Sequence, residues 1–116
     1  MAHAPQPGDV VPDDVLQELT DEIEVGNRLF PTRLLQVAQN YANQYLQHLG
    51  VPTPATLWEY IVDRLQLTGH WLYANLEDYP DRFGYAITNA DGGRLYIKLM
   101  YDNRSRVRVL SFHEGY

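Results

Sequence analysis

The stretch "LYIKLMYDNRSRVRVLSFHEGY", residues 95–116, gathers the side chains best suited to chemistry. It holds Tyr96, Lys98, Arg104, Arg106, Arg108 and His113. An imidazole exchanges a proton near neutrality, a phenol donates a hydrogen bond, and ammonium and guanidinium groups attract anions. Apolar and polar residues alternate on both sides of the turn "DNRS", so the stretch predicts a β-hairpin. Which side chains share a face then depends on the phase of pairing. An even loop, such as the four residues 103–106, sets Tyr96 opposite His113 and Lys98 opposite Ser111. That is a compact polar site, backed by Leu95, Ile97, Leu99, Leu110 and Phe112 in the core. An odd loop gathers Arg94, Lys98, Arg106 and Arg108 into a basic stripe and turns His113 inward. The even register is the expectation, because it gives Leu110 and Phe112 a core to join.

The charge distribution supports a local basic site. Residues 1–79 carry 3 Lys+Arg against 11 Asp+Glu, whereas residues 80–116 carry 6 against 4. The total of −6 argues against broad, non-specific nucleic-acid binding. Other chemistries find little footing. There is no cysteine, so no disulfide frame, thiolate nucleophile or Cys-based zinc site. His48 and His70 lack metal-ligand spacing with any partner, and His3 lies near the N-terminus. Gly92 and Gly93 follow an aspartate in a hairpin turn rather than opening a helix, so they are not a phosphate loop. No local Ser-His-Asp pattern or carboxylate pair suggests hydrolysis of another kind.

These residues need a frame. At 116 residues and 45% hydrophobic, the chain can build one core and is too short for two ordinary domains. Residues 1–12, with three prolines and few apolar groups, predict a flexible tail ahead of a single domain over 13–116. "PDDVLQELTDEIEVGN" predicts a first helix with Val15, Leu16, Leu19, Ile23 and, more loosely, Val25 on one stripe. Seven acids and no base fall between Asp9 and Glu24. "FPTRLLQVAQNYANQYLQHLG" predicts a second, opened by Pro31 and closed by Gly50. "TPATLWEYIVDRLQLTG" predicts a third, with Thr53 as cap, Pro54 in the first turn and Leu57, Trp58, Ile61, Val62 and Leu65 buried. "HWLYANLEDYPDR" reads as an aromatic loop. Strands are expected over 83–88, 94–101 and 106–113, the first two joined by the turn "NADGG". The fold class is α+β: about three N-terminal helices packed on a C-terminal three-stranded antiparallel sheet. No apolar run reaches the roughly 18 residues of a membrane helix, and the N-terminus lacks signal-peptide order. A cytoplasmic protein is expected, with no membrane association.

The order helix, helix ending in "LG", helix, aromatic loop, then "LYIKL" and a closing "VLSFHE" resembles the MqsR-type toxins of bacterial toxin–antitoxin pairs, within the RelE-like ribonuclease superfamily. The resemblance covers roughly residues 30–114 and rests on short, apolar-rich motifs. It implies a RelE-like fold, with Tyr96 and His113 at the positions of the family's catalytic tyrosine and of the basic residue after "SF". The family usually has lysine there; this chain has histidine. A further family lysine, after an aromatic pair before the sheet, falls on Ala74, and a family glutamine has no clear counterpart.

The activity so implied is cleavage of single-stranded mRNA by attack of a 2′-hydroxyl on the adjacent phosphate, without metal or cofactor. His113 and Tyr96 take the base and acid roles, Lys98 and Arg108, with Arg82, meet the phosphates, and Tyr85, Trp71 or Tyr73 stacks on a base. A cognate antitoxin is the implied protein partner. The alternative from another class is a non-catalytic protein-binding module, such as a phage or mobile-element inhibitor or an immunity protein. It would use the acidic first helix and the many tyrosines, which suit interfaces.

Overall fold

In the computed structural model, which describes residues 4–115, three helices lie on one face of a five-stranded sheet. The helices are α1 (Asp13–Glu24), α2 (Thr32–Tyr45) and α3 (Pro54–Leu65). The strands are β1 (Arg28–Leu29), β2 (Leu72–Asn75), β3 (Phe83–Ile87), β4 (Leu95–Tyr101) and β5 (Val107–Glu114), in the order β1-β5-β4-β3-β2.

Each helix forms for reasons visible in its residues. In α1, Leu16, Leu19, Thr20 and Ile23 point inward, and the buried Thr20 hydroxyl donates to Leu16 O at 3.0 Å. Asp13 and Asp14 occupy its first turn, where the helix dipole favours negative charge. Gly26, at φ +84°, lets the chain leave the helix, a conformation that penalises other residues. Helix α2 buries Ala38, Tyr41 and Ala42 and runs into a 3-10 turn at Gln47–Leu49. Helix α3 is capped by Thr53 Oγ1, which accepts from Thr56 N at 3.2 Å. It buries Leu57, Trp58, Tyr60, Ile61 and Leu65; Tyr60 takes the deeper place foreseen for Val62.

The sheet corrects three expectations. It has five strands rather than three, and one of them is parallel. Strand β2 forms inside the segment read as an aromatic loop and pairs antiparallel with β3, from Leu72 opposite Ala86 to Asn75 opposite Phe83. Strand β1, two residues long, runs parallel to β5, with Leu29 opposite Arg108. The N-terminal segment is not loose over residues 8–11. Gly8 N and Val11 N donate to Tyr73 O and Trp71 O, both at 2.8 Å, and Tyr73 N donates to Asp9 O at 2.9 Å. Val11 is fully buried. The segment covers the open edge of β2, which would otherwise offer unpaired amides to another chain.

Hairpin β4–β5 combines the two registers foreseen for it. Tyr101 pairs with Val107 across the five residues 102–106, the odd spacing, and this sets Met100 opposite Arg108. The register shifts between Lys98 and Leu99, where Leu110 is the extra residue of a β-bulge. Beyond it the even spacing holds: Lys98 faces Ser111, Ile97 faces Phe112 and Tyr96 faces His113. The core therefore takes Val107, Val109 and Phe112 from β5, all fully buried, while Leu110, expected among them, is only half-buried. Phe112 is the pivot of this core. Its ring lies 6.3 Å from those of Phe30 and Tyr41 and 6.1 Å from that of Tyr60.

Candidate functional site

Because the helices cover one face of the sheet, alternate residues of β4 and β5 point to the other. Ile97 and Phe112 anchor the two strands in the core, so their neighbours Tyr96 and His113 must stand on the outer face. There the two rings are cross-strand partners, with centroids 5.8 Å apart and planes tilted by 41°. A cavity of about 790 Å³ opens over them, lined by Thr88, Asn89, Arg94, Tyr96, His113 and Gly115. Its size lies within the range of about 300–1,000 Å³ usual for small-molecule sites.

Local backbone shapes the cavity. Asn89, at φ +53°, turns the chain out of β3. Asparagine tolerates that left-handed conformation better than most residues. At Gly115 a Cβ would come within 3.2 Å of Arg94 O and 3.3 Å of Tyr96 Cβ, so glycine there suits the close approach of residue 115 to β4. Arg94 projects from the rim, its Nη1 donating to Glu114 Oε1 at 3.0 Å.

The proton chemistry follows from one contact and one burial. His113 Nδ1 lies 2.7 Å from Glu114 O. A carbonyl oxygen only accepts, so Nδ1 carries the hydrogen. Burial pushes the Tyr96 phenol above its ordinary value, which keeps it protonated and able to donate at neutral pH. The site thus pairs a proton acceptor with a proton donor beside a guanidinium.

The remaining candidates lie elsewhere. Lys98 shares the outer face with Tyr96, but its Nζ reaches across β3 to donate to Asn75 O at 2.7 Å. Arg108 is on the same face near the turn, opposite Met100, and its Nε is buried without a hydrogen-bond partner. Arg82 donates from Nη1 to Tyr101 O at 3.1 Å and lies 5.2 Å over the ring of Tyr79. None of the three lines the cavity. Tyr85 is separated from Tyr96 by the sheet itself. It pairs with Leu99 on the helix side, where its ring lies 5.8 Å from Tyr73 and 6.2 Å from Tyr101. The phase of β3 that brings Ile87 to the core carries Tyr85 with it, so Tyr85 and Tyr96 stand on opposite faces of the sheet. Ala74 is on the outer face of β2, opposite Gly84.

Sequence reasoning missed Thr88, Asn89, Arg94 and Gly115 as parts of the site. Arg94 shares the alternation phase of Tyr96 and was legible by that rule. Thr88 and Asn89 reach the cavity through the β3–β4 register, which no local pattern discloses. Among the described residues no cluster of three or more His, Asp or Glu is placed to hold a metal ion. None of their helices is long and apolar enough to cross a membrane. Comparison with protein-family models, curated proteins and solved structures finds no match.

Proposed function

We propose that the chain is a toxin-like endoribonuclease that cleaves single-stranded mRNA by metal-independent transphosphorylation and is neutralised by a cognate antitoxin. The observation that carries this reading is the apposition of His113 and Tyr96 under one open cavity with Arg94 at its rim. The resemblance of "LYIKL" and "VLSFHE" to MqsR-type toxins supports it independently of the geometry.

The step balances as follows. His113 Nε2 takes the proton of the ribose 2′-hydroxyl as the 2′-oxygen bonds to phosphorus. The P–O5′ bond breaks, and the leaving 5′-oxygen takes the Tyr96 phenolic proton. The imidazolium then returns a proton to the phenolate. The products are a 2′,3′-cyclic phosphate and a 5′-hydroxyl. Arg94 meets the charge that grows on the phosphorane oxygens, in place of Glu114. Lys98, Arg108 and Arg82 contact phosphates farther along the strand.

The test is incubation of the purified protein with unstructured RNA in excess chelator, beside His113→Ala and Tyr96→Phe. Cleavage that leaves 2′,3′-cyclic ends and is lost in both variants supports the reading. No cleavage at any salt concentration, or equal cleavage by all three proteins, overturns it.

A second reading is favoured by α1. Asp13, Asp14, Glu18, Asp21 and Glu24 are all exposed along it, a face suited to a basic protein. On this reading the chain is a non-catalytic protein-binding module. Charge reversal at Asp21 and Glu22 then abolishes capture of that partner, whereas in the ribonuclease it leaves cleavage intact.

A further inference from the structure

Two cavities meet at Arg94. The one over Tyr96 and His113 opens on the outer face. A second, of about 300 Å³, lies on the helix side of the same strand end, lined by Tyr41, Tyr45, Asp91, Gly93, Arg94 and Glu114. Among the described residues Arg94 alone lines both. Its side chain is 79% exposed, and among the described residues it makes the surface pair with Glu114. Such a pair contributes little to stability, so an incoming anion displaces the carboxylate readily.

The second cavity has a built aromatic wall. Tyr41 Oη donates to Asp91 Oδ2 at 2.5 Å, and Asp91 also accepts from Gly93 N at 2.9 Å and Leu95 N at 3.2 Å. Tyr41 is thereby fixed to the β3–β4 turn. Tyr45, one helical turn later at the end of α2, leans on the Tyr41 ring with centroids 4.8 Å apart, yet is itself 51% exposed. An open aromatic ring, braced from behind and set beside a guanidinium, is a stacking platform for a base with a phosphate contact at its edge.

We propose that the Tyr45 cavity is a second nucleotide subsite, so that a dinucleotide unit straddles the strand end with its linking phosphate on Arg94. The nucleoside that carries the attacking 2′-hydroxyl occupies the large cavity against His113 and Tyr96. The nucleoside that leaves with the 5′-oxygen stacks on Tyr45. This inference rests on the ribonuclease reading and adds to it the site of the leaving nucleoside.

Two substrates separate the subsite from the chemistry. One is a dinucleoside monophosphate. The other is a ribonucleoside 3′-methylphosphate diester, which keeps the 2′-hydroxyl and the linking phosphate but has methanol as leaving group and no second base. Tyr45→Ala is expected to lower kcat/KM for the dinucleoside by about fivefold to a hundredfold, the usual effect of losing one stacked base. It leaves the methyl ester unchanged, and Tyr45→Phe, which keeps the ring, behaves as wild type on both. Arg94→Ala lowers both. A Tyr45→Ala variant that cleaves both substrates as the wild type does, or loses both equally, overturns the subsite while the ribonuclease stands. A wild-type protein that cleaves neither overturns the ribonuclease reading and the subsite with it.

Discussion

Tyr96 and His113 are cross-strand neighbours on the open face of the β4–β5 hairpin, their ring centroids 5.8 Å apart. They lie beyond the bulge at Leu110, where the register has changed, and each is held by a core residue beside it, Ile97 or Phe112. If they serve one reaction, their removal is not additive. His113→Ala is expected to slow RNA cleavage by about 10²–10⁴-fold and Tyr96→Phe by about a hundredfold. The double variant should be no slower than the worse single one, because either loss already disables the same step. Single-turnover cleavage of a short labelled RNA measures all three. Losses that multiply in the double variant would mean two independent effects and would remove the shared proton path.

The Tyr96 phenol titrates late. Burial raises it above the ordinary tyrosine value of about 10. The charged form is the one disfavoured, so the phenol remains a donor through neutrality and into alkaline solution. The difference between the ultraviolet titrations of wild type and Tyr96→Phe isolates this one group from the other tyrosines. It is expected to show a single phenol ionising above the free amino acid. A difference titration at or below about 10 would remove burial as the reason the hydroxyl keeps its proton.

The same hairpin shows how far the chain could be read from its residues. The three helices were legible because Leu16, Leu19 and Ile23, or Leu57, Ile61 and Leu65, recur at helical spacing between recognisable ends such as Thr53–Pro54. The facing of Tyr96 and His113 was expected from an even loop, yet the loop is odd and the bulge at Leu110 restores the pairing. The bulge itself was not legible, because an inserted residue has no signature in alternation; it lets Arg108 and His113 both point outward from spacings that alternation alone makes exclusive. Strands of two and four residues, β1 and β2, are too short to display a period. Residues 8–11 looked unstructured from composition, yet one apolar side chain, Val11, and three backbone hydrogen bonds suffice to hold them. The face taken by Tyr85 was not legible, because its phase is set by the β3–β4 register rather than by its own neighbours.

Asp102 holds the β4–β5 turn together. It is 8% exposed and accepts from Arg104 N at 2.8 Å, Arg106 N at 3.0 Å and Arg106 Nε at 2.8 Å. Burial works to raise its carboxyl, but the backbone bonds from Arg106 and Arg104 and the Arg106 side chain outweigh it and leave it below the usual carboxylate range. A depressed native value means stabilisation that is present above the unfolded value of about 3.9 and lost as pH falls through the native one. Asp102→Ala is expected to cost about 2 kcal/mol or more at pH 7, since it removes the charged acceptor of three hydrogen bonds. Urea denaturation should show the gap to wild type narrowing below about pH 4. A gap independent of pH would mean the carboxylate's charge contributes nothing.

Gly84 is the position where the outer face tolerates no side chain. It lies in β3 opposite Ala74 of β2 and next to Tyr85, the partner of Leu99 in β4, where Lys98 crosses on its way to Asn75. A Cβ there would come within 2.8 Å of Leu76 Cδ2, 3.1 Å of Leu99 O and 3.3 Å of Lys98 Cε. Leu76 is 5% exposed and closes the sheet from the β2–β3 loop, so it has little room to turn away. Leu99 O belongs to the backbone of β4, which cannot shift without disturbing its pairing with β3 and β5. Gly84→Ala is therefore expected to destabilise by about 1–3 kcal/mol, the usual cost of overpacking, despite the better strand propensity of a residue with a side chain. Thermal unfolding of Gly84→Ala beside Leu76→Ala and the double variant identifies the clash. Removing the Leu76 side chain should recover part of the Gly84→Ala loss, leaving the contacts with Leu99 O and Lys98 Cε. Losses that simply add in the double variant would show that the leucine is not what the new methyl meets.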